Sequence, residues 1–169
     1  MGKQQEAFVR LSIEVQKALF VDVCHRRTIE ACGVLLGTRD RLGNWLVEEA
    51  LPLRNIADSP VYFEFAPEDL LRIELTYAER VVGVYHSHPT GYARASSTDK
   101  ENMKRVNVDE AIPWVWCIIQ GPFNEAFAHR QNGRVTDTTM RAYHHYASEG
   151  LKQIAVHIER NNELLRTDE

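Results

Sequence analysis

Cysteine is scarce: Cys24, Cys32 and Cys117 are odd in number, far apart and never in a C-x-x-C pair. That excludes a disulfide framework and a thiolate zinc site, and it suits a reducing cytoplasm, the expected location. Long apolar runs are missing too. None approaches the roughly 20 residues that span a bilayer, so no membrane partner is expected. The opening MGKQQEAFVR lacks an apolar h-region, and no signal peptide is expected. Lys and Arg are scattered rather than gathered, and the formal net charge is -4; a nucleic-acid partner is therefore not expected. There is no Gly/Ser- or Pro-rich linker and no internal repeat.

What remains is an ordinary globular composition, 44% hydrophobic and 26% charged over 169 residues, enough for one domain with a sizeable core. Apolar residues from Leu11 to Arg27 read as a buried helix. Ala31 to Gly37 (ACGVLLG) and Trp45 to Leu53 read as two strands joined by a polar turn. After a loop, VYFEF at Val61 to Phe65 reads as a short extended piece. Pro67, followed by Glu68 and Asp69, opens a helix expected to run to Arg80 and to bury Leu70, Leu71, Ile73, Leu75 and Ala78. Val81 to His88 reads as a strand, and KENMKRV as a short helix capped by Ser97 or Thr98. Trp114 to Gln120 reads as a central strand. Phe123–Arg130 and Gly133–Thr136 flank Asn132-Gly133, a hairpin signal. Thr138 to Arg166 reads as mainly helical from Leu151, Ile154, Ile158 and Leu165, with Gly150 as a divider. The pattern is mixed α/β: one domain over 1–169, with a core at about 11–137 and a C-terminal helical extension at about 138–166.

The chemistry lies in VVGVYHSHPTGYARASSTD, from Val81 to Asp99. In a strand, residues two apart share a face, so His86 and His88 converge while Ser87 turns away, and Pro89 ends the strand. Two imidazoles so placed suit one divalent ion. A catalytic site wants a third protein ligand and one open position. Asp99, at the start of the following helix, is the best candidate, and Ser96 brings a hydroxyl beside it. A hydrolase also needs a base, and Glu30, just before the apolar run ACGVLLG, is the choice. The H-x-E with P-C-x-x-C pattern of nucleobase deaminases is missing, and so is H-E-x-x-H.

The set EACGVLLG, then HSHP, then seven residues, then S-x-x-D ending at Asp99, resembles the JAMM motif of the MPN-plus (JAB-domain) metalloprotease family. The resemblance implies a cytidine-deaminase-like MPN fold, a mixed, curved β-sheet with flanking helices. It implies that His86, His88 and Asp99 bind one zinc ion per chain, that Glu30 acts as general base and then acid, and that Ser96 stabilises the oxyanion. The implied reaction is hydrolysis of a peptide or isopeptide bond after the C-terminal glycines of a ubiquitin-like or sulfur-carrier protein, as in deconjugation, carrier processing or antiphage modification. No His or Cys lies between Asp99 and Trp114, so the chain is similar to the compact stand-alone prokaryotic enzymes, with one metal site.

For the substrate, Val61, Tyr62 and Phe63 are expected to offer an edge to an extended diglycine tail, with Thr90 among the residues that narrow the cleft. The adjacent His144 and His145, on a helix, cannot both face one metal and are expected to be solvated or partner-facing. Cys32, Cys117 and Tyr85 are expected to be packed and inert. The alternative function is a non-catalytic MPN scaffold or assembly subunit, and the C-terminal helices would pair it with itself or with another subunit.

Overall fold

The computed structural model describes residues 5–160. Its elements are β1 (Phe8–Leu11), α1 (Ile13–His25), β2 (Cys32–Arg39), β3 (Trp45–Leu53), α2 (Pro67–Tyr77), β4 (Val81–His88), α3 (Ser97–Lys104), β5 (Val115–Gln120), α4 (Glu125–Gln131), β6 (Met140–Tyr146) and β7 (Gly150–Ile158). The strands form one mixed sheet in the order β1-β3-β2-β4-β5-β6-β7, closed into a barrel where β1 pairs with β7. Two β4 neighbours matter most: β2 runs antiparallel to it and β5 parallel.

Helices cover the two faces of this sheet, each over its own core. Val15, Leu19 and Val23 of α1 and Phe127 of α4 pack with Leu35, Tyr85, Cys117 and Ile119. On the other face, Ile73 of α2 and Met103 of α3 pack with Val34, Val84, Trp116 and Ile118. Register puts Cys32 opposite His86, and Val34 opposite Val84, on that second face. The histidines therefore stand on the side of the sheet that carries α3.

Local chemistry explains the helix starts. Ser12 caps α1, its hydroxyl accepting from the Val15 amide at 3.2 Å. Pro67 occupies the first turn of α2, and Asp69 there binds Arg54 (3.0 Å) and Arg72 (2.6 Å). This helix buries less than its apolar residues predict. Ile73 is buried and Leu70 half-buried, while Leu71, Leu75 and Ala78 are exposed, because only a narrow stripe of α2 meets the sheet; Ala78 belongs to the 3₁₀ turn Ala78–Arg80 that follows.

Two expectations are overturned. Residues 140–158 form β6 and β7 rather than helix; the spacing of Leu151, Ile154 and Ile158 imitates a helical period, but Ile154, Val156 and Ile158 face inward two apart in a β-rich stretch. The helical pairing surface proposed for this region is therefore absent at 140–158, and Leu165 lies outside the described residues. Asn132 and Gly133 close no hairpin. They take positive φ (51° and 86°) as the left-handed end of α4, which demands the same backbone conformation as a hairpin turn. Val61–Phe65 pairs with no strand of the sheet.

Beneath the site, α1 is fastened to the sheet by a buried polar chain. The Tyr85 hydroxyl donates to Asp22 Oδ2 (2.7 Å), and Asp22 holds Arg26 through two 2.7 Å contacts. Arg26 in turn donates to the carbonyls of Leu53 (2.6 Å) and Cys32 (2.8 Å). Burial, together with the Asp22 charge, raises the Tyr85 phenol well above its usual range, so it stays a neutral donor. The Tyr85 ring also crosses Gly33, where an added Cβ would lie 2.2 Å from the Leu51 carbonyl and 2.6 Å from the ring. Gly33→Ala is expected to cost about 1–3 kcal/mol in urea unfolding. Gly91→Ala, where nothing lies within 4 Å of an added Cβ, is the control and should stay within about 0.5 kcal/mol of wild type. Equal stability of the two variants would contradict this packing.

Candidate metal centre

The strand β4 ends in the two histidines, and the sheet aims both at one point. The Nε2 atoms of His86 and His88 stand 3.2 Å apart. Asp99, from the first turn of α3, places Oδ1 3.2 Å from His86 Nε2 and Oδ2 3.2 Å from His88 Nε2. Donors about 2.0 Å from a tetrahedral ion stand about 3.3 Å from one another, so the three groups fit a divalent ion between them. Glu30 stands further back, its Oε1 3.7 Å from His88 Nε2. Its donor atom and those of the two imidazoles all lie within 4.8 Å of one another, so Glu30, His86 and His88 make a second candidate ligand set.

Surrounding groups set the orientation of each donor. His88 Nδ1 lies 2.7 Å from the Tyr92 carbonyl, which only accepts; the ring proton is therefore on Nδ1, and Nε2 keeps its lone pair for a metal. His86 is 1% exposed and stacks on Phe63 at 4.6 Å between ring centroids, while its Nδ1 has no partner among the described residues. Asp99 is fixed by a capping box. The Ser96 hydroxyl accepts from the Asp99 amide (3.0 Å), and Asp99 Oδ2 accepts from the Ser96 amide (2.9 Å). The cap is thus Ser96, not Ser97 or Thr98 as expected: Ser96 and Asp99 complete the reciprocal pair, and Ser97 and Thr98 already lie within the first turn of the helix.

Burial and charge move the site's proton affinities in opposite directions. Burial pushes Glu30 up to about 8, with the Asp99 charge adding to it against the pull of His88. His86 is lowered by burial and so stays a neutral imidazole. Burial opposes the charged form of His88 as well, but the bonds to Asp99 and to the Tyr92 carbonyl raise it on balance. Asp99 is held well below the usual carboxylate range; burial works against this, and bonds from His86, His88 and the Ser96 amide overcome it. One carboxylate and the Nε2 atoms of two imidazoles therefore face the same small space.

A narrow cleft of ≈ 10 Å³, about the room one water needs, opens beside these groups. It is lined by Glu30, Val61, Tyr62, Phe63, Ser96, Thr98, Asp99 and Asn102. Val61, Tyr62 and Phe63 stand in its wall, whereas Thr90 sits in the exposed turn after β4 and does not line it. Larger concavities, of ≈ 520 Å³ and ≈ 510 Å³, include none of these residues. His144 lies on β6, 7% exposed, its Nδ1 2.8 Å from the Trp114 carbonyl. Neither it nor half-buried His145 is the solvated helical residue expected, since a strand sends these neighbours to opposite faces. Burial raises Cys32 and Cys117 to about 12, as inert thiols require.

Several contributors escape a reading of spacing alone. Phe63, expected as part of a substrate edge, also stacks on His86, a candidate ligand; Tyr92 acts through its carbonyl, and Thr98 and Asn102 line the cleft. Thr98 and Asn102 lie one residue before Asp99 and three after it on α3, a neighbourhood that a helical reading from Asp99 brings into view.

The chain is 36% identical over 96 residues to a desampylase of Pyrococcus furiosus, covering 54% of this chain and 60% of that protein. It is 38% identical over 76 residues to a desampylase of Haloferax volcanii, covering 43% and 52%. The chain thus spans between half and two thirds of the length of these curated relatives. A solved protein from Desulfitobacterium hafniense shares the fold, with a TM-score of 0.65 at 23% identity, over 92% of this chain and 96% of that one. The profile of prokaryotic homologs of the JAB domain matches residues 12–136. Since that match begins at the cap of α1, runs beyond α4 and takes in every residue of the donor cluster, the chain belongs to the JAB-domain (JAMM/MPN) family in its prokaryotic form.

Proposed function

We propose that the chain is a zinc-dependent peptidase or isopeptidase that cuts after the C-terminal glycines of a ubiquitin-like or sulfur-carrier protein. The observation that carries this reading is the convergence of His86 Nε2 and His88 Nε2, 3.2 Å apart, each 3.2 Å from one oxygen of Asp99, with Glu30 set just behind them. The two relatives named desampylase support a ubiquitin-like modifier as the substrate class.

His86, His88 and Asp99 would hold the zinc ion, the carboxylate being preferred over Glu30 because it meets both imidazoles at equal distance and is firmly ionised. A bound zinc ion supplies Lewis-acid chemistry, acidifying water and polarising a carbonyl. Glu30 takes a proton from the attacking water and returns it to the leaving amine. Burial raises the proton affinity of its carboxyl, which favours keeping the proton until the amine leaves. Ser96 Oγ already accepts from the Asp99 amide, so its own proton is free to donate to the oxyanion of the scissile carbonyl. The narrow space between Phe63, Ser96 and Asp99 favours glycine over residues with side chains. Asn55 engages the Tyr62 carbonyl and the Glu64 amide, so an extended diglycine tail would run along the opposite side of this segment.

The test is cleavage of a panel of ubiquitin-like proteins extended beyond their terminal Gly-Gly. Glu30→Gln is expected to lower kcat by about 10²–10⁴-fold while zinc per chain stays at the wild-type level. Loss of zinc along with activity would instead make Glu30 a ligand. A chelator should abolish cleavage and added zinc restore it; a wild-type preparation that binds no zinc would favour the non-catalytic scaffold.

Acid should act through the same donors. A metal ligand binds only in its deprotonated form, and His88 holds its proton more tightly than usual in the free site. Raising the pH through the imidazole range therefore removes the competing proton, and zinc affinity should climb between about pH 5 and about pH 8. Affinity measured by competition with a chromogenic chelator checks this; a flat profile would exclude imidazole ligation.

A further inference from the structure

Asn55 stands two residues beyond β3, 8% exposed, and its side-chain amide is used in full. Nδ2 donates to the carbonyls of Glu30 (3.1 Å) and Tyr62 (2.9 Å). Oδ1 accepts from the amides of Ala57 (3.0 Å) and Glu64 (3.1 Å). An Asn amide offers two N–H groups and two acceptor positions, so no capacity is left over.

The two halves of this group do different work. The Oδ1 half is a local turn device, tying Asn55 to the loop that follows it. The Nδ2 half reaches back 25 residues to Glu30 and forward to Tyr62 in the cleft wall. Glu30 meets the same loop a second time, since its amide donates to the Ser59 carbonyl at 2.9 Å. Both backbone polar groups of Glu30 thus depend on the segment Asn55–Ser59, and so does the wall formed by Val61, Tyr62 and Phe63.

We propose that Asn55 is a positioning residue that sets the Glu30 carboxylate and the cleft wall in one fixed relation, so that neither can shift without the other. The kinetic consequence rests on the hydrolase reading above; the structural coupling does not. A misplacement of about 1 Å at a reacting group costs on the order of 100-fold in rate, so a group that fixes a base through its backbone acts on the chemical step without touching the substrate.

The discriminating variant is Asn55→Asp, which keeps both acceptances and the shape but has no N–H for the carbonyls of Glu30 and Tyr62. Amide hydrogen exchange by mass spectrometry is followed in peptides covering 28–31 and 60–65 of the zinc-supplemented protein. Exchange is expected to quicken together in both, by about ten-fold or more, with zinc per chain unchanged. Faster exchange confined to 55–65, with Glu30 as protected as in wild type, overturns the coupling. If Asn55→Asp does not fold, Asn55→Ser, whose hydroxyl cannot span both carbonyls, is read in the same way.

In the kinetic arm the probe is a ubiquitin-like protein ending in Gly-Gly, fused to a fluorescent peptide. The variant should lose kcat by about ten- to 100-fold as well as gain in KM. A rise in KM with kcat unchanged would assign Asn55 to the wall alone and overturn the proposal. If wild type does not cut the probe, the hydrolase reading is what fails, and the exchange comparison still decides the role of Asn55.

Discussion

The site depends on one reciprocal pair of hydrogen bonds between β4 and the residue entering β2. The Ser87 amide donates to the Ala31 carbonyl at 2.9 Å, and the Ala31 amide donates to the Ser87 hydroxyl at 2.8 Å. Ser87 lies between the two imidazoles in sequence but points away from them, and Ala31 directly follows Glu30. This antiparallel contact therefore ties the backbone next to the acid to the strand that carries the histidines. Because a strand alternates faces, Ser87 can be spent wholly on structure while its neighbours remain free for a ligand. Everything else at the site adjusts orientation around this pair.

Keeping charge in such a place is costly. Glu30, His86 and Asp99 are all buried, and a buried ionisable group needs hydrogen bonds or an opposite charge to stay ionised. Asp99 has both, through the cap at Ser96 and the imidazoles, whereas Glu30 has burial working against its charge. Two carboxyls lining the same cleft thus acquire different proton affinities from their surroundings alone. That separation is the general way in which one site obtains a permanent anion and an exchangeable proton.

How much of this is legible in the sequence depends on whether a feature is set by spacing or by tertiary contact. His86 and His88 are readable because period two is a property of the strand itself. Ser96 and Asp99 are readable because an N-terminal cap is a local device. Glu30 sits at the mouth of its strand, as its place before the apolar run implies, although no distance follows from that. The misreadings have a common form: the segment satisfies two templates at once. Asn132-Gly133 supplies positive φ, which both a hairpin and a helix end demand. Leu151, Ile154 and Ile158 fit a helical period, and only pairing of Ala142 with Ile154 and Tyr143 with Gln153 decides for strand. Phe8–Leu11 goes unread because a strand of four residues gains its stability from neighbours at both sides, β3 and β7, distant in sequence. Asn55 and Ser87 look like ordinary polar residues until their partners are known.

The ring closure of the sheet has a consequence for the protein as a material. Each of the seven described strands has a neighbour on both sides along at least part of its length. Open strand borders are where unrelated β-proteins template one another into aggregates, and natural folds protect them with charge, proline or bulges. Here the four residues of β1 perform that protection by joining what would otherwise be two free borders, β3 and β7. Colloidal behaviour at high concentration thus falls to a short strand that contributes no side chain to the candidate metal centre.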